Sequence, residues 1–113
     1  MKIKRGQVWW WKCPQHGRPH IESGVRPVVV VSNNVCNNAS QVITVVPITR
    51  SIKKPYPQQA CVILPTGVSV ALADQLTSIP VSELDRFICT LSDFQMADVD
   101  RAIAVQLGFE EGK

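Results

Sequence analysis

The hydrophobic pattern of the chain is dominated by short apolar runs at close spacing. Gln7–Trp11 follows Gly6 and is aromatic, and Pro27–Ser32 holds four consecutive valines, as in a strand buried on both faces. Gln41–Thr49 is rich in β-branched residues, and Pro47, which has no N–H to donate, marks an edge or a bulge near its end. Ala60–Leu64, Val68–Ala73, Gln75–Ile79 and Phe87–Leu91 read as further strands, separated by Pro-Thr-Gly, Ile-Pro and Glu-Leu-Asp punctuation. No helix-length connection lies between the early strands, so the pattern predicts a mainly β fold, a small barrel or sandwich. Helical spacing comes only at the end. Ser92 is a good N-cap with Gln95 three residues on, Asp93 suits the first turn, Met96, Val99, Ile103 and Leu107 recur on one face, and Gly108 is the stop. The outer residues of that helix, Asp98, Asp100 and Arg101, are mostly acidic, so it reads as a cover for the core. Alternation along the first strand sets Trp9 and Trp11 on one face and Trp10 on the other, with at least one in the core.

Length and composition narrow this little. A chain of 113 residues with 45% apolar side chains has the size of one domain, expected to span 1–113, and needs no disulfide or metal staple. The basic N-terminus lacks the apolar run and cleavage site of a signal peptide, and no window approaches a membrane span, so a cytoplasmic protein without membrane contact is expected. Cys13, Cys36, Cys61 and Cys89 form no C-x-x-C pair, which argues against a zinc knuckle or a dithiol motif. Cys61 and Cys89 lie in apolar runs and are expected to be small buried hydrophobes. Cys13 stands near Lys12, His16 and Arg18, yet a structural role is favoured over a nucleophilic one.

Charge changes the picture more. Residues 1–54 carry nine basic side chains against the single acid Glu22, a formal +8, whereas residues 55–113 carry three against eight, a formal −5. The net +3 is therefore a cancellation, and the basic half suits a polyanion or an acidic protein segment. Two basic stretches, 12–25 with both histidines and 50–59 with Lys, Pro and Tyr, are long enough to carry function. Phosphate-loop, nucleophile-elbow and H-E-x-x-H motifs are absent, as is a carboxylate cluster for Mg²⁺, so neither cofactor nor metal is expected.

Chemistry then falls to residues gathered by the fold at strand ends, namely His20, Arg26, Thr49, Ser51, Asp74 and Gln75. An arginine bonds two phosphate oxygens, a threonine hydroxyl donates to developing charge, and a carboxylate and a histidine exchange protons, a set that suits a phosphodiester. In RNA the nucleophile is the substrate's own 2′-hydroxyl, so neither a metal nor a covalent intermediate is required. Each residue also has a plainer reading: Arg26 as an exposed or salt-bridged arginine, Asp74 as a turn cap, Thr49 as an ordinary strand threonine, His20 as a loop histidine.

The blocks RGQVWWW (5–11), GVRPVVVVSNN (24–34), ITVVPITR (43–50) and ALADQLTSIP (71–80), in this order, resemble the signatures of the MazF/PemK (Kid) toxin endoribonucleases. The resemblance implies an SH3-like small β-barrel of the MazF/CcdB type with a C-terminal α-helix. It also implies a homodimer that cuts single-stranded mRNA without metal, sequence-specifically, to 2′,3′-cyclic phosphate and 5′-hydroxyl ends. A cognate antitoxin with an acidic C-terminal segment would occupy the RNA groove. By position Arg26 matches the R-P arginine, Thr49 the P-x-T threonine, and Asp74 and Gln75 the D-Q pair, while His20 stands where one branch has a histidine. These imply Arg26, Thr49, Asp74 and His20 as catalytic, with Asp74 or Arg26 as base and His20 or Arg26 as acid. Gln75, Ser51, Glu22, Ser23, Arg50, Lys53 and Lys54 are implied as RNA-binding. RPHIESG only approximates the family's first loop, and Leu72 replaces an arginine of one branch. Two alternatives remain: a CcdB-like toxin that binds DNA gyrase, whose Trp-Gly-Ile-like ending contrasts with LGFEEGK here, and an inactive basic binding module.

Overall fold

A computed structural model of the chain describes residues 2–14 and 24–112. Its seven strands are β1 (Gln7–Cys13), β2 (Gly24–Val30), β3 (Val42–Arg50), β4 (Ala60–Leu64), β5 (Gly67–Ala71), β6 (Thr77–Pro80) and β7 (Leu84–Thr90), with helices α1 (Asn34–Ala39) and α2 (Asp93–Gln106). All pairings are antiparallel, in the order β4-β5-β3-β2-β1-β7, with β6 also on β3. The mainly β architecture with a closing helix agrees with the pattern of the sequence. Among the described residues, no helix is long and apolar enough to cross a membrane.

β3 organises the sheet. On one side it pairs with β2, from Val30↔Val45 to Val28↔Pro47. On the other its first half pairs with β6 and its last three residues with β5, Ile48↔Ala71 to Arg50↔Ser69. Pro47 therefore marks neither a simple edge nor a bulge: it is the corner where β3 passes from one sheet to the other. Its carbonyl still accepts a hydrogen bond from the Leu72 N–H at 2.8 Å.

Period-two alternation gives β1, β2 and β3 two buried faces. Val8, Val29, Val46, Ile48, Val62 and Leu64 pack against Met96, Val99 and Ala102 of α2. Trp9, Trp11, Val28, Val30, Ile43, Val45 and Ile79 form a second cluster on the opposite face. Trp9 and Trp11 thus share the buried face expected of them, their indole N–H groups donating to Gln7 Oε1 at 3.0 Å and Glu83 Oε1 at 2.9 Å, while Trp10 is half-buried. Trp9 also meets the Phe87 ring edge-on, with centroids 5.6 Å apart.

Several local expectations are corrected. The connection from β2 to β3 contains α1, which apolar periodicity could not reveal: Asn33 caps it by accepting from the Cys36 N–H at 2.9 Å, and buried Asn37 donates to the Ser32 carbonyl at 2.9 Å. Cys61 is exposed, because alternation in β4 turns Ala60, Val62 and Leu64 inward, and Cys89 is only half-buried. The run Gln75–Ile79 is a strand only from Thr77, since Ala73–Gln75 makes a 3₁₀ turn.

At α2 the Ser92 hydroxyl accepts from the Gln95 N–H at 3.2 Å as expected, but the Gln95 side chain accepts from the Ile63 N–H of edge strand β4. Ala102 is buried where Leu107 was expected, Leu107 being 53% exposed beyond the last helical turn. Asp100 is not simply solvated: it pairs with Arg5, which also donates to the Val31 carbonyl at 3.0 Å and so ties the N-terminus to α2.

Two outcomes test this packing. Ile48 is 1% exposed, so Ile48→Ala should lower unfolding free energy by about 2–5 kcal/mol in denaturant titration, and a loss below about 1 kcal/mol would contradict its place in the core. Burial raises the Cys89 thiol pKa and so lowers its thiolate fraction, whereas Cys36 is exposed. Iodoacetamide at neutral pH should therefore modify Cys36 well before Cys89, as read by peptide mass spectrometry; faster modification of Cys89 would refute the burial.

Candidate nucleic-acid interface

The clearest discontinuity in the sheet lies just past the Val28↔Pro47 pair. β2 extends back to Gly24 and β3 forward to Arg50, but their ladder stops where Pro27, without an N–H, stands in the next rung opposite Ile48; Pro47 turns its carbonyl to the other side, toward Leu72. β1 holds β2, β5 holds β3, and a cleft of about 410 Å³ opens between them. The β2–β3 register, continued two residues, sets Arg26 opposite Thr49 on one face, the face that carries Val28 and Val45. Both residues line the cleft, together with Arg50 and, from the β4–β5 hairpin, Thr66 and Ser69.

Arg50 lies against the hairpin backbone. A Cβ on Gly67 would come 3.4 Å from Arg50 Nε, and Gly67 has φ +129°, so a glycine serves both the close approach and the turn. Thr49 also lines a second cleft of about 280 Å³ with Ser51, Lys53, Lys54, Tyr56 and Gln59. The two clefts therefore meet at Thr49. The Ser51 hydroxyl accepts from the Lys53 N–H at 3.1 Å and shapes the start of this basic segment.

Electrostatics distinguishes these clefts from the others. Among the described residues the ion pairs are Arg5–Asp100, Lys12–Asp85 and Arg101–Asp98, so Arg26, Arg50, Lys53 and Lys54 enter none. A cleft of about 290 Å³ beside Trp11 carries Glu83 and no cation, and one of about 650 Å³ beside α1 has Arg5 already paired with Asp100. A polyanion is attracted to the Thr49 clefts and meets an acid or a neutralised cation in those beside Trp11 and α1, while in a cleft beside Trp10 Arg86 stands with Asp85.

The expected residues are thus partly gathered. Arg26, Thr49, Arg50, Ser51, Lys53 and Lys54 stand on two adjoining clefts. Asp74 and Gln75 are exposed on the 3₁₀ turn and line neither; Leu72, at the head of that turn, does. His20, Glu22 and Ser23 lie outside the described residues. Thr66, Ser69, Tyr56 and Gln59 line the clefts too, although no sequence motif marks them, and Trp10 lines one of them. Tyr56 and Gln59 stood within a stretch already marked as basic and long, but Thr66 and Ser69 reach the cleft only through the β4–β5 hairpin.

A curled β sheet closed by one helix, with unpaired guanidinium groups and hydroxyls on an opened strand pair, defines a small basic barrel suited to a polyanion. Comparison with known proteins makes the class specific. Residues 4–107 match the family of PemK-like, MazF-like toxins of type II toxin–antitoxin systems. The chain is 36% identical to endoribonuclease MazF9 of Mycobacterium tuberculosis, over 93% of this chain and 96% of that protein. Its fold is similar to that of a mycobacterial endoribonuclease solved in complex with its cognate antitoxin, with TM-score 0.77, 22% identity, and coverage of 96% and 97% of the two chains. MazF from Deinococcus radiodurans superposes with TM-score 0.76 at 25% identity, covering 96% of this chain and 98% of that one. The chain belongs to the PemK-like, MazF-like toxin family, and its activity class is that of a toxin endoribonuclease.

Proposed function

We propose that this protein cleaves single-stranded mRNA at selected sequences, that the scissile phosphodiester binds where Arg26 faces Thr49, and that a cognate antitoxin blocks the same clefts. The observation that carries this reading is the convergence of Arg26 and Thr49 on the opened β2–β3 pair, beside cations that enter no ion pair. The 2′-oxygen attacks the adjacent phosphorus, forming the P–O2′ bond as the P–O5′ bond breaks, and leaves a 2′,3′-cyclic phosphate and a 5′-hydroxyl. The proton lost from the 2′-oxygen goes to a base, and another is delivered to the departing 5′-oxygen.

Arg26 neutralises the two non-bridging oxygens and Thr49 donates to one of them, interactions that strengthen as charge builds in the phosphorane. Arg50 and the lysines hold the strand's neighbouring phosphates. His20, six residues ahead of Arg26 on the connection into β2, is proposed to move a proton. Asp74, two residues beyond the cleft-lining Leu72, is assigned no step at the phosphate. The 2′-hydroxyl supplies the nucleophile, so the reaction is proposed to run without metal. The protein is proposed to act in the cytoplasm as a homodimer.

Folded Arg26→Ala and Thr49→Ala proteins should each cut a long single-stranded RNA on the order of 10²–10³ times more slowly than wild type, with cut ends mapped by primer extension. Asp74→Asn should stay within a few-fold of wild type, and wild-type cutting should persist in EDTA. Wild-type rates for Arg26→Ala would refute the site. An acidic antitoxin peptide and an uncleavable RNA should compete, and both should bind more weakly as salt rises, because both displace counterions. Salt-independent binding of either, by fluorescence anisotropy, would point to an apolar clamp.

A further inference from the structure

The second Thr49 cleft holds a group that the phosphate chemistry does not use. Tyr56, the chain's single tyrosine, is 67% exposed on the β3–β4 connection. Exposed aromatics on connections are common enough, but the backbone beneath this one is unusually constrained. Pro55 and Pro57 restrict φ on both sides of it. The Gln59 N–H donates to the Tyr56 carbonyl at 2.9 Å, and the Tyr56 N–H donates to Gln59 Oε1 at 3.2 Å. Arg101 of α2 donates to the Pro57 carbonyl at 3.2 Å, and a Cβ on Gly112 would come 2.7 Å from Pro57 Cβ, so helix and tail brace the segment. The ring is thus presented to solvent on a held backbone, beside Lys53 and Lys54, in the cleft that Thr49 joins to Arg26.

On this basis, and resting on the proposed RNA substrate, we infer that Tyr56 is a stacking platform for one base next to the scissile phosphodiester. A base in single-stranded RNA has two free π faces, and an aromatic ring held in place gains stacking without first losing its own freedom. The neighbouring lysines hold the backbone charge while the ring takes the base. Tyr56 sets which position of the RNA must carry a base, and Arg26 and Thr49 do the cutting.

The test uses the full-length protein and a short RNA containing the mapped cut site, made uncleavable by one 2′-deoxy residue at the cut. Tyr56→Ala should weaken its binding on the order of 10-fold by anisotropy, and Tyr56→Phe should restore it. Tyr56→Leu, similar in bulk but without a π face, should not. An abasic residue at one of the two positions flanking the cut should remove the difference between wild type and Tyr56→Ala. With the cleavable RNA, Tyr56→Ala should raise KM and leave kcat within a few-fold. Equal affinity of wild type and Tyr56→Ala, or a difference that survives abasic substitution at both positions, overturns the platform. Tyr56-dependent binding together with wild-type cutting by Arg26→Ala would retain it and overturn the Arg26 site instead.

Discussion

The site depends on a ladder that stops. Antiparallel strands stay together because alternate facing pairs exchange N–H and C=O groups, and β2 and β3 stay paired only as far as Val28↔Pro47. Pro27, opposite Ile48, has no N–H for the next rung. β3 has another partner on its far side, so it turns onto β5 without being left unpaired, and the Pro47 carbonyl is taken by Leu72. The opening is therefore bordered by satisfied strands, which keeps its shape while presenting side chains from both. Arg26 and Thr49 are held apart by two sheets, and no flexible loop is required to bring either to the cleft.

The same alternation that gives β3 two buried faces fixes what the opening displays. Within the paired region, odd positions of β3 such as Val45 pack with the tryptophans, and even positions such as Val46 and Ile48 pack with α2. Past Pro47 the second face has no facing strand, so Thr49 is left at the cleft with its hydroxyl available, and Arg26 occupies the matching position on β2. A site made this way costs the core little. The residues just inside it, Val28 and Ile48, are almost completely buried.

Much of this was legible in the sequence because it is periodic. The strand runs, the Ser92 cap and the shared face of Trp9 and Trp11 all follow from patterns of two or from local hydrogen bonding, and the four motif blocks brought Arg26 and Thr49 forward. What is not periodic depends on where chain segments meet. Asn-rich α1 is stabilised by a cap and by one buried amide, with no apolar stripe to advertise it. Cys61 looked buried because its neighbours are apolar, but strict alternation in a two-layer strand sends every second residue outward. Thr66 and Ser69 are ordinary in sequence and join the cleft only because a tight hairpin reaches Arg50. Asp74 shows the converse. A motif identifies its segment, but where the carboxylate stands depends on the 3₁₀ turn that follows Leu72.

The division of charge along the chain now has a spatial meaning. Acids from the C-terminal half pair with the cations that hold the fold together, Arg5 with Asp100 and Arg101 with Asp98. At one-third exposure or more, such pairs contribute little energy, on the order of a kcal/mol at most, but they occupy those carboxylates. Arg26, Arg50, Lys53 and Lys54 share two adjoining clefts without an acid among the lining residues, an arrangement that is repulsive in the free protein. Binding an anion relieves that repulsion, so part of the affinity for a phosphate chain is already stored in the placement of like charges. An acidic peptide would draw on the same stored repulsion, because charge is what it shares with a phosphate chain.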